Sequence, residues 1–172
     1  MKIHHAILAA AATLGAIAAS APYAYALEKP TGEVVLTVKA ANLKHANVDG
    51  NAQFDLAMLE ALAGRRGKME TPWTSGKVEF SGPLLRAVLD AAGAQGSKLR
   101  VIALNDYSAE VPMEDASKID TMLATRMDGK QMSVRDKGPL FLIYPFDSTP
   151  SLFNEKYFSR SVWQISKIEV SE

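Results

Sequence analysis

Alternation sets in at Glu33. Val34, Leu36 and Val38 fall on one side of an extended chain, Val35, Thr37 and Lys39 on the other, which predicts a strand over 33–39. Residues 40–53 are polar, and Asp49-Gly50 marks a turn. From Phe54 to Ala63 the period changes. Phe54, Met58 and Leu62 share a stripe with Leu59 beside it, a helix expected to stop at Gly64 with Arg65-Arg66 near its C-terminal end. Residues 68–73 read as extended and 77–80 as a short strand. Gly82-Pro83 then opens a second helix, with Pro at its first position. Leu84, Leu85, Val88, Leu89 and Ala92 form its buried stripe, and Gly93 ends it.

Leu99 to Leu104 predicts a strand, Asn105-Asp106-Tyr107 a turn, and 107–112 a second extended run. A short helical turn fits 114–119. Thr121–Met127 and Gln131–Val134 predict a hairpin around Asp128-Gly129. A turn at 136–139 leads into the continuous apolar run Leu140–Tyr144, a buried strand. Residues 145–159 are irregular and rich in aromatics, and 162–170 closes the chain as a strand. Many short strands and a few short helices, without the βαβ rhythm, predict a single α+β domain with a mixed sheet.

The first 26 residues follow another logic. Lys2 carries the charge, Ala6 to Ala19 is an uncharged run of mostly Ala, Leu and Ile, Pro22 breaks it, and Ala24-Tyr25-Ala26 offers small residues for cleavage. That is the layout of a secretory signal peptide. Residues 1–26 are therefore expected to be removed, leaving 27–172 as one ligand-binding domain. The absence of an Arg-Arg pair points to Sec-type rather than twin-Arg export. The expected destination is the periplasm of a Gram-negative host, with no stable membrane insertion.

Composition narrows the chemistry. The chain of 172 residues has no cysteine, and its 19 Lys and Arg balance 19 Asp and Glu. Disulfides, thiol nucleophiles and thiolate–metal bonds are excluded. A neutral balance argues against nucleic acid as a partner. His45 is the only histidine beyond residue 26, and neither a P-loop nor a GxGxxG motif occurs. No catalytic residue and no metal ligand set can be assigned.

Aromatic and polar residues in loops remain. Thr71-Pro72-Trp73-Thr74-Ser75-Gly76 sets a Trp among hydroxyls, where it either lids the core or binds a ligand. Asn105, Asp106 and Tyr107 sit at a strand end with Glu110 close behind, and read equally as a self-contained Asx-turn. Arg160 and Trp163 flank the last strand, where Trp163 reads more readily as core. Phe146, Phe153, Tyr157 and Phe158 can form one wall. Together these groups can make an aromatic slot with carboxylates at its edge. Such a slot suits a flat, nitrogen-rich heterocycle, because a carboxylate accepts paired N–H donors.

FDLAMLEAL (54–62), TPWTSG (71–76), FSGPLLRAVLDAAGA (80–94), LNDYSAEVP (104–112), DGK (128–130), KGPLFLIYPF (137–146) and RSVWQISKIEV (160–170) succeed one another over most of 33–170. In that succession the chain resembles the oxidoreductase molybdopterin-binding domain family, whose fold is that of sulfite oxidase. The resemblance implies molybdenum held by a Cys thiolate near Glu70-Thr71-Pro72, and this chain has no Cys. The small, Cys-free, exported branch looks like periplasmic pterin-binding proteins. That likeness implies no molybdenum and a reduced pterin as ligand. It also implies, as partner, the periplasmic domain of a membrane-bound diguanylate cyclase or phosphodiesterase that controls cyclic di-GMP. Carried over by motif, Trp73, Asp106, Tyr107 and Arg160 would belong to the pocket, with Thr71, Thr74, Asn105, Glu110 and Trp163 beside them. Two other readings stay open: a molybdopterin-dependent oxidoreductase or its accessory subunit, and an exported adaptor with no small ligand.

Overall fold

The computed structural model describes residues 26–172. The hydrophobic run and cleavage site expected in the leader lie outside them, apart from Ala26. Among the described residues no helix is long and apolar enough to cross a membrane.

The first and last strands lie side by side. β1 (Val34–Ala40) pairs parallel with β11 (Ile165–Ser171) and antiparallel with β2 (Ala52–Asp55). β11 pairs antiparallel with β5 (Lys98–Ala103), and β5 with β6 (Ser108–Pro112), giving the order β2-β1-β11-β5-β6. Leu36, Val38, Leu99, Val101, Val111, Ile165 and Ile168 from these strands are buried in one apolar core. The mixed sheet and short helices make this an α+β domain.

The helix expected over 54–63 shrinks to α1 (Leu56–Glu60). Phe54 belongs instead to β2, opposite Leu36. Asp55 fixes the boundary: its carboxylate accepts the Met58 N–H as an N-cap, and also the N–H groups of Thr31 and Gly32. These three hydrogen bonds, that from Met58 foremost, hold the Asp55 carboxyl below its ordinary value. Gly64, Arg65 and Arg66 are not a helix end. They begin β3 (Gly64–Met69), which pairs antiparallel with β4 (Val78–Pro83). The period-two signal is weak there because the inward positions are Arg65, Gly67 and Met69.

Pro83 likewise ends β4 rather than starting a helix; a residue without an N–H is tolerated at a strand end. α2 (Leu85–Ala92) follows, burying Leu85, Val88, Leu89 and Ala92. Gly93 closes it at φ +64, where its N–H reaches the Asp90 carbonyl and the Ala94 N–H that of Leu89. A short α3 (Met113–Ser117) continues from β6.

The run expected over 121–127 is split in two. β7 (Met122–Ala124) pairs with β10 (Phe141–Ile143), while β8 (Arg126–Met127) pairs with β4 and with β9 (Lys130–Gln131). Thr125 makes the switch, its N–H donating to the Ser81 carbonyl and its hydroxyl to Glu60 Oε1. Val134 leaves the expected hairpin for a 3₁₀ turn and is exposed. The 145–159 segment carries a second 3₁₀ turn and a one-turn helix, α4 (Glu155–Phe158).

Candidate functional site

Three loops converge at one end of the five-stranded sheet. The first holds Trp73. Thr71 is buried, and its hydroxyl lies 2.8 Å from that of Thr74, while the Trp73 N–H donates to the Thr71 Oγ1 at 3.3 Å. The hydroxyls expected to meet a ligand are thus turned on each other and set the loop that presents the indole. That indole meets Phe141, Phe158 and Trp163 edge-on, at centroid distances of 5.5, 5.8 and 5.8 Å. Such geometry matches the quadrupoles of the rings and fixes the indole as a floor.

The second loop joins β5 to β6. Asp106 adopts φ +65, its N–H bonds the Ala103 carbonyl, and Asn105 Oδ1 accepts the Tyr107 N–H. The Asx-turn is therefore real, and it leaves Tyr107 55% exposed at the rim. The third loop runs from α4 into β11. Trp163, read more readily as core, is 39% exposed, with the Lys137 Nζ 4.9 Å from its ring centroid. A cation over an indole at such an exposed ring contributes about 0.5–1 kcal/mol, enough to bias the ring's orientation.

Together these loops enclose a cleft of about 430 Å³. Of the residues singled out from sequence, Trp73, Asn105, Tyr107, Phe158 and Trp163 line it, while Phe146, Phe153 and Tyr157, expected in the same wall as Phe158, do not. Ala103, Glu155, Ser159 and Ser161 complete the lining. Thr71 and Thr74 stand behind Trp73. Asp106 is exposed, with only its backbone N–H bonded in the turn, and Glu110 is exposed on the edge strand β6, opposite Arg100. Neither acid lines the cleft; Glu155 is the carboxylate that does. Nothing in 145–159 marked Glu155, because its placement depends on Asn154, whose Oδ1 accepts the Lys156 N–H and caps α4.

Arg160 also stays off the lining. Its Nη1 donates to Asp115 Oδ2 at 2.8 Å, and its guanidinium lies 5.8 Å from the Tyr157 ring centroid. Tyr144, fully buried, donates its hydroxyl to the same Asp115 oxygen at 2.7 Å. Burial first, and then the Asp115 carboxylate, push the Tyr144 phenol far above its ordinary value, so it remains a donor.

The polar side of the cleft is rich in acceptors. Ser159 and Ser161 spend their hydroxyl protons on the Lys156 and Tyr157 carbonyls, at 2.9 and 2.8 Å, which leaves oxygen lone pairs. The Glu155 carboxylate makes no hydrogen bond or ion pair among the described residues. Aromatic surface with acceptors along one side complements a flat ring bearing N–H groups.

The family model for the oxidoreductase molybdopterin binding domain matches residues 18–172, and the chain belongs to that family. No curated protein matches it. Among solved structures, the sulfane dehydrogenase SoxCD from Paracoccus pantotrophus superposes with a TM-score of 0.56 at 16% sequence identity. The alignment covers 79% of this chain and 37% of that one, and the likeness is one of fold. The residues present fit the pterin part of the family's cofactor. They do not fit a thiolate-bound metal: the chain has no Cys, and the Thr71 and Thr74 hydroxyls are hydrogen-bonded to each other. Among the described residues no group of three or more His, Asp or Glu side chains is placed to hold a metal ion.

Proposed function

We propose that this protein is a non-catalytic, periplasmic pterin-binding protein. The reading rests above all on one observation: a cleft with two indoles in its lining and acceptors along one side, in a Cys-free member of a molybdopterin-binding family. The heterocycle lies against Trp163 over the Trp73 floor. Its amino–amide edge, with adjacent N–H donors, turns toward Glu155 and the two serines. Asp106 and Glu110, singled out from sequence for that edge, give way to Glu155 because neither lines the cleft.

With few groups suited to catalysis, the bound pterin acts through a partner. The resemblance of the sequence to exported pterin-binding proteins favours the periplasmic domain of a membrane-bound diguanylate cyclase or phosphodiesterase. Linkage limits the effect to the ratio of that domain's affinities for loaded and empty protein, about five- to 150-fold in typical couplings.

The test has two parts. Protein isolated from its own host is analysed for metal and for fluorescent pterin released on denaturation. Pterin with only trace molybdenum is expected; near-stoichiometric molybdenum would return the chain to the oxidoreductases. The isolated receptor domain is then titrated with loaded and empty protein. Equal affinities would leave a pterin carrier with no relay.

A further inference from the structure

We propose that Arg160 is a positioning residue: anchored on the buried Asp115, it fixes the 155–163 wall of the cleft and thereby the width available to a ligand. The inference rests on reading that cleft as the ligand site. The wall cannot hold itself. α4 is one turn long, and helices this short have little stability of their own. Arg160 stands two residues past the last position of α4, and three distant segments meet there. Asp115 comes from α3, Tyr144 from the end of β10, and Arg160 from between the two cleft serines. One carboxylate oxygen, Asp115 Oδ2, accepts from both Tyr144 and Arg160. Tyr157 of α4 closes the group, its ring 4.9 Å from that of Tyr144 and beneath the Arg160 guanidinium.

The Asp115 and Arg160 side chains are only 8% and 21% exposed. Breaking such a pair strands a charge in a dry site, so the wall is held in one arrangement rather than several. Side chains on either side of Arg160 in sequence line the cleft while Arg160 itself faces away. A shift at the anchor therefore moves Ser159, Ser161 and Trp163 together.

The chain's two tryptophans both line this cleft, so intrinsic emission reports on the wall without any ligand. Arg160→Met is compared with Arg160→Lys, using 7,8-dihydrobiopterin as the probe. Arg160→Met should keep the far-UV dichroism of the sheets, shift the Trp emission to the red, and weaken probe binding about tenfold or more. Arg160→Lys, which keeps the charge, should restore the emission and most of the binding. If Arg160→Met does not fold, Tyr144→Phe, which removes one donor and keeps the ring, should give the same shift in smaller measure. Parental emission in folded Arg160→Met, or in Tyr144→Phe where that variant stands in for it, overturns the proposal. So does an Arg160→Lys protein no better than Arg160→Met. Should the parent not bind the probe while Arg160→Met still shifts the emission, the positioning role stands and the pterin reading falls.

Discussion

Two depressions of nearly equal size differ in how their polar groups are spent. The aromatic cleft encloses about 430 Å³, and a groove beside β3 and β4 about 410 Å³. Arg65, Arg66 and Arg126 line the groove, which by residue type alone reads as an anion site. Yet each arginine has a carboxylate. Arg126 meets Glu60 with two hydrogen bonds of 2.8 and 3.0 Å, Arg65 meets both oxygens of Asp147, and Arg66 lies 3.3 Å from Glu79. An incoming anion would have to displace these partners. In the cleft the Glu155 carboxylate has no partner among the described residues, and the Trp163 indole keeps 39% of its surface exposed. One donor of the groove stays unspent, since Arg65 Nη1 is buried without a hydrogen-bond partner among the described residues, so the two depressions differ in how far their charges are neutralised.

The sharpest way to break that contrast is to remove an indole and an arginine in parallel. Stacking a base on an aromatic ring is worth about 1–3 kcal/mol. Trp163→Ala should weaken pterin binding tenfold or more, since about 1.4 kcal/mol is tenfold. Trp73→Ala should do the same and also lower Tm, because that ring packs on Phe141 and Phe158 within the structure. Arg66→Ala should leave binding unchanged. Calorimetric titration of the three variants decides it. Equal losses in Trp163→Ala and Arg66→Ala would move the ligand to the groove.

Much of this architecture is legible in the sequence, because a strong period carries it. β1, β5, α2 and β10 all follow from apolar spacing that local geometry cannot mistake. β3 escaped because its inward positions hold Arg65 and Gly67, and Arg65 earns burial only through Asp147, 82 residues away. The aromatics of the cleft were legible in part: Trp73 and Tyr107 stand out in loops, while Trp163 reads more readily as core and is 39% exposed. Direction was not legible. Whether a carboxylate faces a cleft depends on long-range pairing, so Asp106 and Glu110 are singled out from sequence and Glu155 is not. Arg160, expected in the pocket, lies off the cleft lining, held by Asp115 in a helix with no motif to mark it.

A second, smaller effect sharpens the electrostatic side. Glu155→Gln keeps the shape of the cleft's carboxylate and loses its charge and one acceptor. Glu155 is exposed, so the loss should be modest, about 1 kcal/mol or roughly fivefold in affinity. Asp106→Asn and Glu110→Gln should bind as the parent does. If either of these weakens binding more than Glu155→Gln, the pterin's amino edge faces the β5–β6 turn instead.

The smallest expected effect lies in the groove and concerns stability alone. Hydrogen bonds from Arg126 above all, and also from Thr125, hold the Glu60 carboxyl below its ordinary value of 4.5. Because the folded value is depressed, the ionised form favours the folded state. That contribution is complete above the unfolded value and is lost as pH falls through the folded one. The pair is partly exposed, with Arg126 39% and Glu60 29% accessible, so solvent screening keeps its worth below about 1 kcal/mol. Glu60→Gln should therefore lower Tm slightly at pH 7, and the gap between parent and variant should close as pH drops below about 4.5. Thermal melts of both proteins from pH 7 down to the acid limit of folding measure that gap. The groove should gain no affinity for inorganic phosphate beyond what one freed guanidinium supplies in water. A gap that stays constant with pH would mean that Glu60 acts by packing rather than by charge, and a tight phosphate complex in Glu60→Gln would show that its carboxylate alone keeps the groove closed to anions.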